Sequence, residues 1–465
     1  MIRPRSAQIC LIALMLCGCA VNQEKEVAKY RGVIDTGVRG ATVDPLAPGE
    51  SLTLRRAMLL TNQNNENLNL SGEDYLQAMI DKDRAFASFL PTISLRPAVN
   101  VRDRGRSDDN DDSNTNTRRT TTDVPLSGEM NLFNGFRDIA NLRRSVATID
   151  QRRELLLDLQ QTLLLDTAQA FYAVLRAERS VDVLRSSLAV QDERLRDVRG
   201  KQQAGLARPL DVAQTEAQAS ATRVSLLQAA RDVQNARTAL AFLIAQSIGD
   251  SPLLDELSIA RTTESVEQIL VDALEKRRDL LAARAAVLST RQEVEFAVGQ
   301  YYPSISLNVN YFLSRQSTPT DSDWNALFAA NLPLFSAGLI EADVRTAWSR
   351  HRQARLDESL LSRQIESDVL RAHQNLISSD EQLRELQLQL AAAQQAQRQA
   401  DESYRVGLAT NLDRIQAQDQ LLSTQLQLTS EEFNRKVFYL TLLRASGELI
   451  DGDPTVLGPT TQPTQ

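Results

Sequence analysis

Leu132-Phe133-Asn134-Gly135 closes a segment of alternating apolar and polar residues and opens a run, residues 137–200, with no proline and no interior glycine. Leu334-Phe335-Ser336-Ala337 does the same 202 residues further on, ahead of residues 339–403. The offset holds at two more places. Ala204-Gly205-Leu206-Ala207 returns as Val406-Gly407-Leu408-Ala409, and Leu210-Asp211 returns as Leu412-Asp413. Upstream, Leu90-Pro91-Thr92-Ile93-Ser94-Leu95 matches Tyr302-Pro303-Ser304-Ile305-Ser306-Leu307 at an offset of 212, so the extra ten residues fall in the loops near 103–121 and 314–323. Several matches in one order mean a duplicated unit. The two copies are placed at 50–260 and 261–450, followed by a flexible tail over 451–465.

Each copy carries two alternating segments. Ile93, Leu95, Val99 and Val101 have Thr92, Ser94, Arg96, Asn100 and Arg102 between them. Val124, Leu126, Met130 and Leu132 stand opposite Asp123, Ser127, Glu129 and Asn131. Ile305, Leu307, Val309, Tyr311 and Leu313 alternate with Ser304, Ser306, Asn308 and Asn310. Trp324, Ala326, Phe328, Ala330, Leu332 and Leu334 form a fourth stripe, opposite Asn325 and Asn331. Period two describes a strand with one apolar and one polar face. This predicts strands near 92–102, 122–133, 304–313 and 324–335. Their length, about 9–11 residues, suits a transmembrane β-strand between lipid and a wet lumen. A soluble sheet packed on helices is the other reading. The loop Asp103 to Asp123 is long and polar, as solvent outside a cell would allow. Four strands cannot close a barrel, because the smallest bacterial ones use about eight. A membrane-spanning chain of this kind must therefore oligomerise.

The two proline-free runs predict helices about 95 Å long, at 1.5 Å per residue. Apolar positions recur at coiled-coil spacing: Leu164, Ala168, Phe171 and Leu175 in one, Leu383, Leu386, Leu390 and Ala393 in the other. Aromatic content is only 5 %, low for a large globular core. Small residues and glutamines suit helices packed side by side around a wet tube, although a rod without a channel would have them too. Glycine ends each run, at Gly205 and Gly407, where a left-handed residue can stop a helix. Pro209 suits the first turn of a returning helix. Each copy thus reads as strands followed by a helical hairpin, with its tip far from the strands.

The start of the chain assigns a compartment. Arg3 and Arg5 precede an apolar run from Ile9 to Leu16, which has the length of a signal-peptide core and is too short to span a bilayer. Leu16-Cys17-Gly18-Cys19 resembles a bacterial lipoprotein cleavage site. It implies a signal peptide over 1–18, lipid on Cys19, and a lipid-anchored linker over 19–49. Ala20 is compatible with onward transport to the outer membrane. Cys10, Cys17 and Cys19 are the only cysteines, so the mature chain would hold no disulfide and no thiolate metal site. Losing two arginines turns 52 basic and 60 acidic residues into 50 and 60, a charge of about −10. That argues against nucleic acid as a partner.

Both glycine turns, the Leu-Pro and Tyr-Pro strand starts, and Leu332-Pro333-Leu334-Phe335 resemble the TolC-like outer membrane factors, also called outer membrane efflux proteins. The resemblance covers residues 50–450. It implies an α+β membrane protein and a homotrimer, with four strands per chain in a 12-stranded outer-membrane barrel and an α-helical barrel continuing it through the periplasm. The hairpin tips would form the periplasmic entrance. Gly205, Leu206, Gly407 and Leu408 would touch a membrane-fusion adaptor, itself bound to an inner-membrane transporter. Asp413 matches a constriction acid, and Asp211 and Tyr404 match a hydrogen-bonded pair between helices. The chain departs from the pattern at Gln416, where a second acid is expected, and at Ala409, where a basic residue often supports the pair; Arg405 or Arg414 is left to replace it.

Nothing points to an enzyme. His351 and His373 are 22 residues apart and neither has a metal-ligand partner at i+4. No phosphate loop or nucleophile elbow occurs, and no cofactor or metal site is expected. The expected function is export of small molecules or drugs delivered by the transporter. Type I protein secretion, metal-ion efflux, and a coiled-coil lipoprotein scaffold with no channel remain open alternatives at this stage.

Overall fold

The computed structural model describes residues 21–38, 43–47, 49–101, 120–259, 265–316 and 322–449. Cys19, the loop near 103–119 and the tail fall outside them. In chain order the elements are α1 (Gln23–Gly37), β1 (Leu52–Thr53), α2 (Leu54–Asn64), α3 (Glu66–Ala87), β2 (Thr92–Leu95), β3 (Ala98–Val101), β4 (Thr120–Asn134), α4 (Arg137–Gln203), α5 (Pro209–Ile244), β5 (Leu253–Leu254), α6 (Val266–Lys276) and α7 (Arg278–Val298). A 3₁₀ turn (Gly299–Tyr301), β6 (Ser304–Ser314), β7 (Trp324–Asn331), α8 (Leu339–Arg405) and α9 (Asn411–Ser446) complete the chain. The duplication is metrical. α4 and α8 each have 67 residues, α5 and α9 each have 36, and each boundary of the first pair recurs 202 residues later. No helix among the described residues is long and apolar enough to cross a membrane.

The chain divides into two compact units. The first takes residues 1–73, 154–281 and 361–465. Its core gathers Leu52, Met58, Leu164, Phe171, Leu240, Ile244, Leu280, Ile365, Val369 and Leu440, all buried. Burial of such side chains stabilises by about 1.5–3 kcal/mol each. The spacing Leu164, Ala168, Phe171 is therefore the buried face of α4, whereas Leu383, Leu386 and Leu390 on α8 are only half-buried. A two-residue parallel pair, β1 on β5, brings Leu52 opposite Leu253. The stretch read as a linker, 19–49, contains α1. Asn22 caps it by accepting a hydrogen bond from Lys25 N at 3.2 Å, and Glu24 and Glu26 complement its first turn. Tyr30 and Ile34 bury against the unit, and Gln160 Nε2 donates to Ile34 O at 2.8 Å and to Asn62 Oδ1 at 2.6 Å.

The second unit, residues 74–153 and 282–360, holds the sheet. Its order is β2-β4-β6-β7, all antiparallel, and β3 also pairs with β4. The first expected strand, 92–102, is thus two segments. Both keep one register along β4, with Thr92 opposite Glu129 and Val101 opposite Thr120. Arg96 N still donates to Pro125 O at 3.1 Å, but Pro97 has no N–H and the ladder parts there. The fourth strand stops at Asn331 rather than 335, because Pro333 follows. A bulge between Asn131 and Phe133 places Phe133, rather than Leu132, opposite Ile305.

Register sorts the side chains into rows. Leu95, Leu126, Tyr311 and Trp324 align across the sheet, and the row Ser94, Ser127, Asn310 and Asn325 lies on the other face. In the polar row Ser127 Oγ donates to Asn310 Oδ1 at 2.6 Å, and Asn310 Nδ2 donates to Asn325 Oδ1 at 3.1 Å. Leu327 and Ala329 make the β7 end of that face less polar. The apolar face is uncovered among the described residues, with Ile93, Val99, Val101, Leu313 and Phe328 all exposed. Where the sheet meets α4, Gly135 (φ +70°) runs against the 3₁₀ turn. A Cβ there would lie 2.2 Å from Gly299 O and 2.9 Å from Tyr302 Cβ, so only glycine fits.

Candidate functional site at the two helix turns

Each long helix ends in the same hydrogen-bonded turn. After α4, Leu206 N donates to Lys201 O at 2.8 Å and Gly205 N to Gln202 O at 2.9 Å. After α8, Leu408 N donates to Ser403 O at 2.8 Å and Gly407 N to Tyr404 O at 3.2 Å. This is the Schellman pattern, and its left-handed residue is Gly205 (φ +74°) or Gly407 (φ +79°). The motif usually tucks the next side chain against the helix. Here the matching helix residues are Lys201 and Ser403, which offer no apolar patch. Leu206 and Leu408 consequently stand 80 % and 83 % exposed.

The returning helices start differently. Thr410 caps α9: Asp413 N donates to its Oγ1 at 3.2 Å, and the Asp413 carboxylate accepts from Thr410 N and Oγ1, both at 2.7 Å. Those two bonds hold the Asp413 carboxyl below its ordinary range. Asp413 and Gln416 are both exposed. Asp211, the counterpart of Asp413, is buried. Arg208 clasps its carboxylate, with Nε to Oδ2 at 3.1 Å and an Nη to Oδ1 at 2.9 Å, and pushes its pKa down. The difference comes from Asn411, which is 2 % exposed and donates to Asp211 O at 3.2 Å and Thr215 Oγ1 at 3.1 Å.

Asp211 and Tyr404 are not hydrogen-bonded partners among the described residues. Tyr404 instead takes cations on its ring, Arg414 at 4.3 Å and Lys201 at 5.1 Å. Arg405 is exposed; Arg414 is the arginine that reaches the tyrosine. One turn deeper lies a cluster that the sequence reading missed. Arg194 on α4 grips Asp401 on α8 with 2.9 and 2.7 Å bonds and donates to Gln418 Oε1 on α9 at 3.2 Å. Gln418 Nε2 returns to Ser187 Oγ at 3.3 Å. Arg414 Nε lies 3.9 Å from Asp401 Oδ1 and has no hydrogen-bond partner among the described residues. A single carboxylate therefore faces two guanidinium groups, Arg414 buried and Arg194 half-buried. The trace of this in sequence is asymmetry between the copies. Arg199 occupies the position equivalent to Asp401, and Val212 the position equivalent to Arg414.

The profile of the outer membrane efflux protein family matches residues 76–246 and 269–448. The outer membrane efflux protein BepC of Brucella suis is 27 % identical over 406 residues, 86 % of each chain. The outer membrane protein TolC of Vibrio cholerae is 24 % identical over 304 residues, covering 63 % of this chain and 69 % of that one. Among solved structures, the outer membrane protein VceC of Vibrio cholerae superposes with a TM-score of 0.75 at 20 % identity, over 85 % of this chain and 96 % of that one.

The Asp401 cluster makes a quantitative expectation. Asp401→Leu strands two guanidinium groups and should cost on the order of 3 kcal/mol. Adding Arg194→Met should recover part of that loss. Thermal unfolding of the detergent-solubilised protein checks it. Simple addition of the two single effects would mean that the pair is not coupled.

Proposed function

The chain belongs to the outer membrane efflux protein family, a family of transport channels rather than enzymes, and on that premise we propose that it is one subunit of a trimeric exit duct through the outer membrane. The observation that carries this reading is the sheet, whose apolar face is uncovered and whose β2–β3 and β7 edges are unpaired among the described residues. Backbone in lipid must satisfy all its hydrogen bonds, so an open sheet of this kind needs further strands. With β2 and β3 counted as one span, three chains would supply twelve strands, and the row from Ser94 to Asn325 would face the lumen. The 67-residue helices would continue the duct through the periplasm.

The two turns would form the periplasmic entrance. Gly205 and Gly407 shape them, and Leu206 and Leu408 offer the apolar contacts for a membrane-fusion adaptor linked to an inner-membrane transporter. A Cβ built on either glycine would meet open space among the described residues, which leaves room for a partner beside the leucines. Asp211 and Tyr404, through Arg208 and Arg414, would keep the entrance narrow. The cargo would be small molecules, as the description of the family as efflux proteins suggests, and Cys19 would carry the lipid anchor.

Three measurements test this reading. Intact-mass analysis should find diacylglycerol on Cys19 and lose it in Cys19→Ser; an unmodified wild-type N-terminus removes the anchor. Leu206→Asp with Leu408→Asp should leave the trimer intact and abolish adaptor capture, whereas unchanged capture moves the contact elsewhere. In planar bilayers, three Asp413 carboxylates around one axis would attract cations and bind a multivalent blocker weakly, because Gln416 withholds a second acid. Asp413→Asn should reduce both cation preference and block, and equal reversal potentials in asymmetric salt would return Asp413 to a helix-capping role.

A further inference from the structure

In the sheet-bearing unit the helices stand in a row. Thr148 on α4 meets Ser289 on α7 at 3.1 Å, Thr290 on α7 meets His351 on α8 at 3.2 Å, and Arg152 on α4 reaches Asp74 on α3 at 3.9 Å. The order is α3-α4-α7-α8, with α3 and α8 at the ends. α3 leads into β2 and α8 follows β7, so the row ends where the sheet ends. Each end helix buries one face, through Tyr75, Ala78 and Ala85 on α3 and through Ile340 and Ala347 on α8. The opposite faces carry Asp74, Gln77, Asp81 and Arg84 on α3, and Ala342, Arg345, Ser349 and Arg352 on α8, all of them exposed.

The two exposed faces match in spacing. Measured from the helix ends beside the sheet, Ala87 and Leu339, Arg84 and Ala342 each lie three residues in, Asp81 and Arg345 six, Gln77 and Ser349 ten, and Asp74 and Arg352 thirteen. Steps of three, four and three keep each set on one stripe of its helix. α3 runs toward the sheet and α8 runs away from it, so an α3 laid antiparallel on an α8 brings all four pairs level at once. The faces also match in chemistry. Two carboxylates meet two arginines, Gln77 meets Ser349, and Ala342 leaves room for the long side chain of Arg84. Arg350, on another side of α8, is engaged with Glu293, whereas Arg345 and Arg352 make no ion pair among the described residues. Asp74 and Asp81 keep 58 % and 61 % of their side chains exposed despite contacts with Arg152 and Arg84. One chain cannot close this pairing by itself, because α4 and α7 stand between its own end helices.

We propose that α3 of one copy lies antiparallel on α8 of the next in this register, and that the pairs Asp81–Arg345 and Asp74–Arg352 are the code by which a subunit selects its neighbour. This rests on the reading of the chain as one subunit of a trimer, and the experiment separates the two. Exposed ion pairs add little strength, but they fix register and exclude like-charged partners. The register is read by disulfide trapping in full-length chains. Gln77→Cys with Ser349→Cys, oxidised in membranes, should give covalent dimers and trimers on a non-reducing gel, with wild type as the blank. Arg84→Cys with Ser349→Cys, displaced by seven residues, should stay uncoupled. Coupling of the displaced pair, or equal coupling of both, overturns the register. The code is read by exchange of charge. Arg345→Asp should weaken the trimer, and Asp81→Arg in the same chain should restore it. Co-expressed with wild type under a different affinity tag, the exchanged chain should form mixed trimers at least about tenfold below random mixing, since like charges then meet at every mixed seam. Random mixing overturns the code, and an exchanged chain that fails to assemble with itself overturns the pairing of these two residues. A wild-type trimer in light scattering without trapping at Gln77 and Ser349 sinks the seam alone, whereas a wild-type monomer sinks the trimeric reading and the seam with it.

Discussion

An unbroken ladder of backbone hydrogen bonds over 67 residues is the constraint on which the rest depends. It needs the absence of proline and of left-handed glycine between Arg137 and Gln203, and again between Leu339 and Arg405. Helices of that length draw their stability from packing rather than from propensity. α4 contributes to the core around Phe171 over one part of its length, while residues 137–153 belong with the sheet. The ladder ends only where a glycine can turn left-handed, and that ending leaves Leu206 and Leu408 in solvent.

Much of this was legible because it is local. Proline and glycine punctuate the chain, alternation exposes a strand, and a fixed offset exposes a repeat. What escaped is either very short or distant in sequence. β1 and β5 have two residues each, too few for any period to register. The pairing of Arg194 with Asp401 joins positions 207 residues apart and has no local signature. The break at Pro97 was visible as a proline inside a strand pattern, but the alternation around it outweighed it. α1 has a local signature in Asn22, Glu24 and Glu26, but it lies directly behind the lipoprotein-like start, where a linker is expected.

The duplication is faithful in lengths and unfaithful in chemistry. Asp211 and Asp413 stand at the same helical position, yet one is clasped by Arg208 beneath Asn411 and the other looks outward. Arg194, Asp401 and Arg414 each have no counterpart of like charge in the other copy. The backbone plan was evidently satisfied twice by one arrangement of breaks. The charged contacts around the turns were not copied, and there the two hairpins acquire separate identities.

The parting between β2 and β3 has a consequence for the open edge of the sheet. Arg96 N points at β4, so the nitrogen of Pro97 faces the free side of the sheet. That edge therefore lacks a donor at its midpoint, and a wandering strand finds two footholds of four residues instead of one continuous track. Edge prolines of this kind discourage indiscriminate strand addition. Exposed to water, the β2–β3 edge is thereby a poorer template for a stray strand than an unbroken edge of the same length would be.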